Sequence, residues 1–520
     1  MDRLKKFFLN GILMTLVTIV ARYVSVGFNI YLSNKIGAVA MGLFTLISSV
    51  YGFALTLATS GISLATTRLV SEALGVGRIK SDISSDATIR AIMKKSLRFA
   101  FLISSLTSIL LFSLANPIGT RLLGDSRTVS SLKLLALSLV PIALSSSLGG
   151  FFSALRKVYK NAIVQIIGQS LRISLSVMLL GSLAAKDIES ACLAIVFGVT
   201  LSEICCFILH LTLYLAERRR SSDKSGAKVY SAIPRKLLPI TLPVAFSAYM
   251  RSALVTVEHL LIPWGLERSG ASRDISLAAY GTLHSVVFPL VLFPSAISSS
   301  FAGLLVPEIS ESNASGDSER IERIVGRVLK TVLLYSVGTA GIMMCLSSEL
   351  GYVLFPMSDS AKFILLISPL IPVMYLDTSV DSILKGLGYQ FYTMIVNIVD
   401  ALLSVILVWI LLPRFGIMGY VITVYFTETV NATLSITKLL CVTRVRVKIF
   451  DWIAKPLLSI IASTTAATHI LSVLGATAAS KADIALHVSF IAIIYFCLLV
   501  LTRALSVKKL KRAIKGFIKA

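Results

Sequence analysis

Arg22, Arg172 and Arg251 each stand deep within a long apolar run in which other charges are rare. A guanidinium stays protonated and presents a planar fork of donors that matches the oxygens of phosphates and carboxylates. Arg22 comes about 15 residues into its run, roughly 22 Å along a helix. That is too far for the side chain to snorkel back to water, so it must face a wet cavity or a partner. Two readings stay open. In one, Arg22, Arg251 and Arg172 bind an anionic substrate group. In the other, each pairs with an acid such as Glu203 or Glu258 and locks helices together.

A second set of residues is mostly acidic. In YLDTSVDSILKGLG, Asp377, Asp381 and Lys385 recur every fourth residue and share a helix face. Asn397 and Asp400 stand three apart, a spacing that converges two oxygen ligands, and Glu428 precedes Asn431 in the next run. Carboxylates inside a membrane must be protonated, paired or bound to a cation. If a cation is the partner, Asp400 and Asn397, with Glu258 and Glu428, are the candidate ligands; a buried network is the alternative. Asp377, Asp381 and Lys385 read either as an ion-coupling group or as a buried structural network. His259, beside Glu258, reads either as a contributor to such a site or as a histidine hydrogen-bonded in the interior.

These charges need apolar elements to carry them, and the composition supplies little else. Of 520 residues, 56% are hydrophobic and 15% charged, with a mean hydropathy of +0.85. A soluble chain could not cover so much apolar surface. Crossing a bilayer takes roughly 20 apolar residues. About fourteen such runs are expected, near 8–33, 41–67, 96–115, 131–154, 161–183, 190–215, 237–264, 277–304, 328–347, 363–384, 391–412, 417–441, 453–474 and 484–502. The first is read as an uncleaved membrane helix, because it outlasts a signal-peptide core and no small-residue cleavage site closes it. The net charge of +24 is unevenly placed, with Lys and Arg crowding alternate connections and the end of the chain. This bias predicts a multi-pass protein of the cell membrane with both ends cytoplasmic. The stretch KKLKRAIKGFIK at 508–519 is expected to lie on anionic lipids rather than on nucleic acid.

The connections exclude most enzymes. The longest inner ones, near 68–95, 216–236 and 305–327, cannot form a catalytic domain, and no Walker-type phosphate loop occurs. No catalytic residues and no bound cofactor are expected. Six cysteines fall inside the apolar runs without metal-ligand spacing and read as packing residues.

A weak internal repeat organises the runs. AMGLFTLISSVYGFALTLATSGISLATTRLVSE at 40–72 is echoed by AYGTLHSVVFPLVLFPSAISSSFAGLLVPEISE at 279–311. Each copy opens on a small residue and a glycine, holds an Ile-Ser pair, ends on Glu72 or Glu308, and follows a helix with one central arginine. Six helices separate the copies, so the halves run parallel. The expected fold is an all-α polytopic membrane protein. It comprises a lobe over 1–220, a second over 221–445, a central cleft, a two-helix appendix over 446–505 and a basic tail over 506–520. Pro239, Pro243, Pro289 and Pro294 mark kinks, as hinges or as static bends.

The segments RYVSVG at 22–27, LSNKIGAVAMGLF at 32–44 and LATSGISLATTRLVSEALG at 57–75 resemble the stage V sporulation protein B group. That group belongs to the superfamily of polysaccharide, lipid-linked oligosaccharide and multidrug (MOP) exporters, with the lipid II flippases as close relatives. The resemblance implies a flippase that moves a polyprenyl-pyrophosphate oligosaccharide, such as a peptidoglycan precursor, between leaflets by alternating access. It also implies sodium or a proton as the coupling ion, and a place in cell-wall synthesis or sporulation beside cell-wall synthesis proteins. Phe28-Asn29-Ile30 lacks the second basic residue that lipid II flippases generally carry there. A multidrug/cation antiporter and a non-transporting scaffold for cell-wall synthases are the alternatives.

Overall fold

The computed structural model describes residues 2–79, 85–182, 187–220, 237–355, 359–445, 447–473 and 480–505. Every regular element among them is helical. The basic connection at 221–236 and the tail at 506–520 lie outside the described residues.

The chain forms α1 (Asp2–Thr59), α2 (Ile62–Ile79), α3 (Ser85–Pro117), α4 (Val129–Ala154), α5 (Val158–Ser182) and α6 (Ile188–Arg220). There follow α7 (Leu237–Arg268), α8 (Arg273–Gly281), α9 (Ser295–Ala314) and α10 (Ser318–Cys345). The remaining long helices are α11 (Ser360–Ile367) running on into α12 (Ile371–Gly386), then α13 (Gln390–Phe415), α14 (Ile417–Thr443), α15 (Lys455–Val473) and α16 (Lys481–Leu501). Eleven helical stretches among the described residues are long and apolar enough to cross a membrane. The first of them, Ile19–Gly75, takes in the later part of the run 8–33 and all of the run 41–67. Helices α7 and α14, of 32 and 27 residues, lie beyond those eleven. Fourteen crossings are compatible with this set.

Several helices run past the apolar segments that predicted them. α3 begins at Ser85 and α6 extends to Arg220, because backbone hydrogen bonding continues into the polar layer where charged side chains are solvated. The second predicted run, 41–67, is broken. Gly37 (φ 78°) separates the two rods of α1, and Gly61 (φ 77°) separates α1 from α2. Both glycines take a left-handed backbone conformation that side chains resist. The sequence run at 277–304 is also interrupted. α8 passes through a π-helical turn, Thr282–Val287, into Phe288–Leu292, and the chain turns at Phe293–Pro294 before α9. Pro239 and Pro243 lie in helical backbone within α7, with no break there.

Two compact units result. One comprises residues 1–21 and 43–261, the other 22–42 and 262–520. These boundaries part from the lobes at 1–220 and 221–445. Residues 22–42 pack with the second unit, and α7 up to Leu261 packs with the first. Within the first unit the packed pairs are α2–α3, α2–α4, α3–α4, α4–α6 and α5–α6. Within the second they are α9–α10, α9–α12, α10–α12, α12–α14 and α13–α14. The two pairings are the same pattern shifted by one repeat, which gives the weak sequence repeat its structural content.

Small residues set the helix spacings, as expected where apolar lipid provides no hydrophobic drive between helices. A Cβ on Gly150 would come 2.6 Å from the Ser63 carbonyl oxygen, beside a hydroxyl chain from Thr66 to Ser96 (2.6 Å) to Ser147 (2.8 Å) that ties α2, α3 and α4. In the second unit, a Cβ on Gly42 would lie 2.0 Å from the Leu277 carbonyl oxygen, and one on Gly281 would lie 2.4 Å from the Gly42 nitrogen. The two glycines that open the repeat copies therefore meet each other. The appendix is fastened to α10, where Tyr495 on α16 lies against Gly338 and its hydroxyl donates to the Leu334 carbonyl at 2.8 Å. All six cysteines are free. Cys192 is buried in the packing as expected, whereas Cys441 and Cys497 are exposed.

Candidate functional site

Arg22 projects from α1 as an exposed side chain of the second unit. Its Nη1 lies 3.5 Å from Ser295 Oγ, the first residue of α9. The helix around it is held locally. Tyr23 packs edge-on to Phe293 at 4.9 Å, and Asn29 Nδ2 donates to the Ser285 carbonyl at 3.3 Å. The interruption opposite Arg22 is pinned by two tyrosines. Tyr375 on α12 donates to the Val291 carbonyl at 2.7 Å, and Tyr335 on α10 donates to the Pro294 carbonyl at 3.1 Å. Their rings stack at 6.2 Å. Polar backbone released by a break inside a membrane must find such donors, and here the partners are aromatic residues that the sequence reading passed over.

Arg251 belongs to the first unit. Its helix is tied to α1 by Tyr249 Oη to the Leu57 carbonyl (3.1 Å), Ser252 Oγ to Thr56 Oγ1 (3.1 Å) and Thr256 Oγ1 to the Ser49 carbonyl (3.2 Å). Residues 249, 252 and 256 share one face, and Arg251 stands about 200° around the helix from Tyr249. It is exposed and makes no hydrogen bond or ion pair among the described residues. Arg172 is placed differently. It is half-buried within the first unit, its Nη2 donates to Gln169, and Glu203 and Tyr51 lie within electrostatic reach. Tyr51 in turn shares a 2.6 Å hydrogen bond with Ser138. Arg172 thus bonds within its own helix with Glu203 in its field but not in a direct ion pair, and neither Arg22 nor Arg251 has a carboxylate partner among the described residues.

The acidic residues converge in the second unit. Asn397 Nδ2 donates to Asp381 Oδ2 at 3.1 Å and to the Thr393 carbonyl at 2.7 Å. Lys385 Nζ lies 3.5 Å from the same Asp381 oxygen, but its side chain is 52% exposed. Asn431 Nδ2 donates to Asp377 Oδ2 at 3.2 Å. The result links α12 to both α13 and α14. Asp381 Oδ1 and Asn431 Oδ1 remain buried without a hydrogen-bond donor, two acceptors of the hard-oxygen kind that an alkali cation or a proton would satisfy. Asp400 and Glu428, half-buried on α13 and α14, have further interactions of their own. The amide of Asn397 is committed to Asp381, so Asp381 joins the candidate ligand set that the sequence centred on Asp400. Glu258 and His259 lie on α7 in the other unit and are not among these residues.

The first unit carries a neutral counterpart. Asn161 and Asn397 each stand eleven residues after a glycine, Gly150 or Gly386, in corresponding helix pairs. Asn161 Nδ2 donates to the Gly149 carbonyl (3.0 Å) and to Ser153 Oγ (3.1 Å). Its oxygen lies 3.4 Å from His210 Nε2, and His210 Nδ1 lies 2.6 Å from Ser145 Oγ. With both amide hydrogens spent, Asn161 can only accept from Nε2–H, which leaves Nδ1 to accept from Ser145. The matching glycine–asparagine spacing was the available sequence signal for this cluster.

A family model described as "Polysaccharide biosynthesis protein" matches residues 8–313, and one described as MatE matches 269–410. The chain is 25% identical over 428 residues to stage V sporulation protein B of Bacillus subtilis (strain 168), covering 80% of each chain. It is 23% identical over 419 residues to the lipid II flippase MurJ of the same organism, covering 76% of this chain and 75% of that one. Among solved structures, a lipid II flippase MurJ in an inward closed conformation matches with a TM-score of 0.68 at 14% identity, covering 95% of this chain and 99% of that one. An inward-facing multidrug resistance MATE family transporter of the MOP superfamily matches with a TM-score of 0.65 at 12% identity, covering 82% and 94%.

Proposed function

The chain belongs to the polysaccharide biosynthesis protein family of the MOP superfamily, and on that premise we propose that it is a membrane flippase for a polyprenyl-pyrophosphate oligosaccharide rather than an enzyme. The observation that carries this reading is the state of two arginines. Arg251 has no partner among the described residues, and Arg22 has a hydroxyl at 3.5 Å. A permanent charge held in an apolar helix without a carboxylate is costly, and an anionic substrate offsets that cost. Each guanidinium suits a pyrophosphate, whose oxygens match its fork of donors. In a cycle of alternating access each would face the two leaflets in turn, and the oxygen cluster around Asp381, Asn397, Asp377 and Asn431, with Asp400 and Glu428 on the same helices as Asn397 and Asn431, would take up sodium or a proton to drive the cycle.

The structural likeness to a multidrug MATE transporter supports a second reading, a drug/cation antiporter. Such a protein has no use for phosphate-binding arginines. Reconstituted vesicles separate the two. The flippase reading expects movement of a pyrophosphate-linked oligosaccharide between leaflets, lost in Arg22→Ala and in Arg251→Ala while both variants still accumulate in the membrane, and partly kept by the Lys variants. Transport of organic cations by wild type with no lipid movement would replace it with the antiporter reading. No transport of either kind, with purified cell-wall synthases bound, would favour a scaffold.

A further inference from the structure

Where α10 begins, α14 ends and α15 begins, the second unit contains a cavity of about 380 Å³ lined by Glu319, Glu322, Arg323, Gly326, Val445 and Trp452. Its walls differ in chemistry. Val445 and Trp452 are buried and form an apolar side, to which Gly326 gives access: a Cβ there would lie 3.7 Å from Val445 and 3.8 Å from Trp452. The other side is charged and exposed. Neither Glu319 nor Glu322 makes a side-chain ion pair or hydrogen bond among the described residues. Arg323 uses its Nε on the Glu319 carbonyl at 3.1 Å, and its two terminal nitrogens make no bond to a described residue. Two negative groups and one positive group thus share one mouth without neutralising each other.

The surroundings fix the depth of this cavity. Ile449 and Phe450, next along the chain from Val445, are 67% and 66% exposed, and Lys455 Nζ stands 5.6 Å over the Phe450 ring. Exposed apolar side chains at the end of a membrane helix, flanked by lysines, belong at the boundary between acyl chains and headgroups. The cavity therefore opens at headgroup level, on the face that the Lys/Arg distribution assigns to the cytoplasm. A simple anion meets two carboxylates there. A simple cation meets Arg323, with Arg320 and Arg327 close to it in sequence and Lys448 between Val445 and Trp452. A zwitterion satisfies both sides.

We propose that this cavity binds the headgroup of an aminophospholipid, with the primary ammonium between Glu319 and Glu322, the phosphodiester on Arg323 and the glycerol and acyl chains leaving past Trp452 and Phe450. The signature is discrimination against choline, whose trimethylated nitrogen keeps its charge but has no N–H to donate to a carboxylate. This site is separate from the arginines and acids of the transport reading, so its failure leaves that reading intact.

The full chain, purified from nanodiscs holding equal phosphatidylethanolamine and phosphatidylcholine, is examined for retained lipid by native mass spectrometry. Phosphatidylethanolamine is expected to be retained roughly three- to tenfold over phosphatidylcholine, the range of one or two exposed charge-assisted contacts. The double variant E319Q/E322Q should lose the preference with its thermal stability unchanged, since both side chains are exposed. R323A should lower retention of both lipids. Equal retention by wild type, or a preference that survives E319Q/E322Q, overturns the proposal. So does a preference that emerges only when residues 506–520 are deleted, which would make the basic tail the occupant.

Discussion

Arg172 and Arg251 carry the same charge at comparable depth, yet their neighbours differ and so should the results of removing them. Arg172 lies in the field of Glu203 within the first unit. Its removal leaves that carboxylate with less compensation, and breaking a buried pair outright costs about 3–5 kcal/mol. The two are not in contact, so a smaller loss is expected for Arg172→Ala, seen as lower accumulation and recovered by Glu203→Gln. Arg251→Ala strands no acid and should accumulate like wild type. Equal accumulation of the two variants would mean that Glu203 does not depend on Arg172. For the acids, sodium should raise the melting temperature of the wild-type protein if the oxygen cluster binds it. Asp381→Asn should remove that rise, and Asp400→Asn should reduce it. A sodium effect unaltered by Asp381→Asn would take this residue out of the cation site. The residue types were legible in the sequence because charge inside an apolar run is conspicuous. Their pairing was not. The link from Asn397 to Asp381 crosses between helices, and spacing within one helix cannot reveal it.

Helix positions were readable from apolar runs of membrane length, whereas their interruptions were set by less conspicuous residues. Gly37 and Gly61 break residues 2–79 into three rods through positive φ, and a glycine inside an apolar run looks the same whether it bends the helix or merely packs. The break at Phe293–Pro294 had a proline to announce it, but its two anchoring tyrosines come from helices 41 and 84 residues further along. Close approach offers the sharper test. A methyl on Gly42 would meet backbone oxygen at 2.0 Å, which no rotamer change can relieve. Gly42→Ala and Gly281→Ala are each expected to destabilise by about 1–3 kcal/mol, the usual cost of overpacking, while Gly75→Ala, with open space around it, should be neutral or mildly stabilising. Melting curves of the three purified variants check this. Loss confined to Gly75→Ala would contradict the crossing at Gly42 and Gly281.

For the whole molecule, orientation rests on the Lys/Arg distribution and can be tested without reference to function. In a cysteine-free background, a cysteine at exposed Ser269, between α7 and α8, should react with a membrane-impermeant reagent on intact cells. One at exposed Ser315, between α9 and α10, should react only after permeabilisation. The reverse pattern would invert the topology and move the aminophospholipid site to the outer leaflet. The repeat was legible in the sequence, and the two units show matching helix pairings. The membership of the crossing segments was not legible, because a repeat fixes order along the chain and says nothing about which half a helix packs against.

That membership bears on how such a molecule is assembled. Residues 22–42 pack with the later half of the chain, and α7 up to Leu261 packs with the earlier one. A stretch of α1 and most of α7 thus pack with the half that does not contain the rest of their own repeat, a partial exchange like that of two protomers that swap a segment. A chain severed within 221–236 should therefore yield two fragments that are each degraded when made alone and rescue one another when made together.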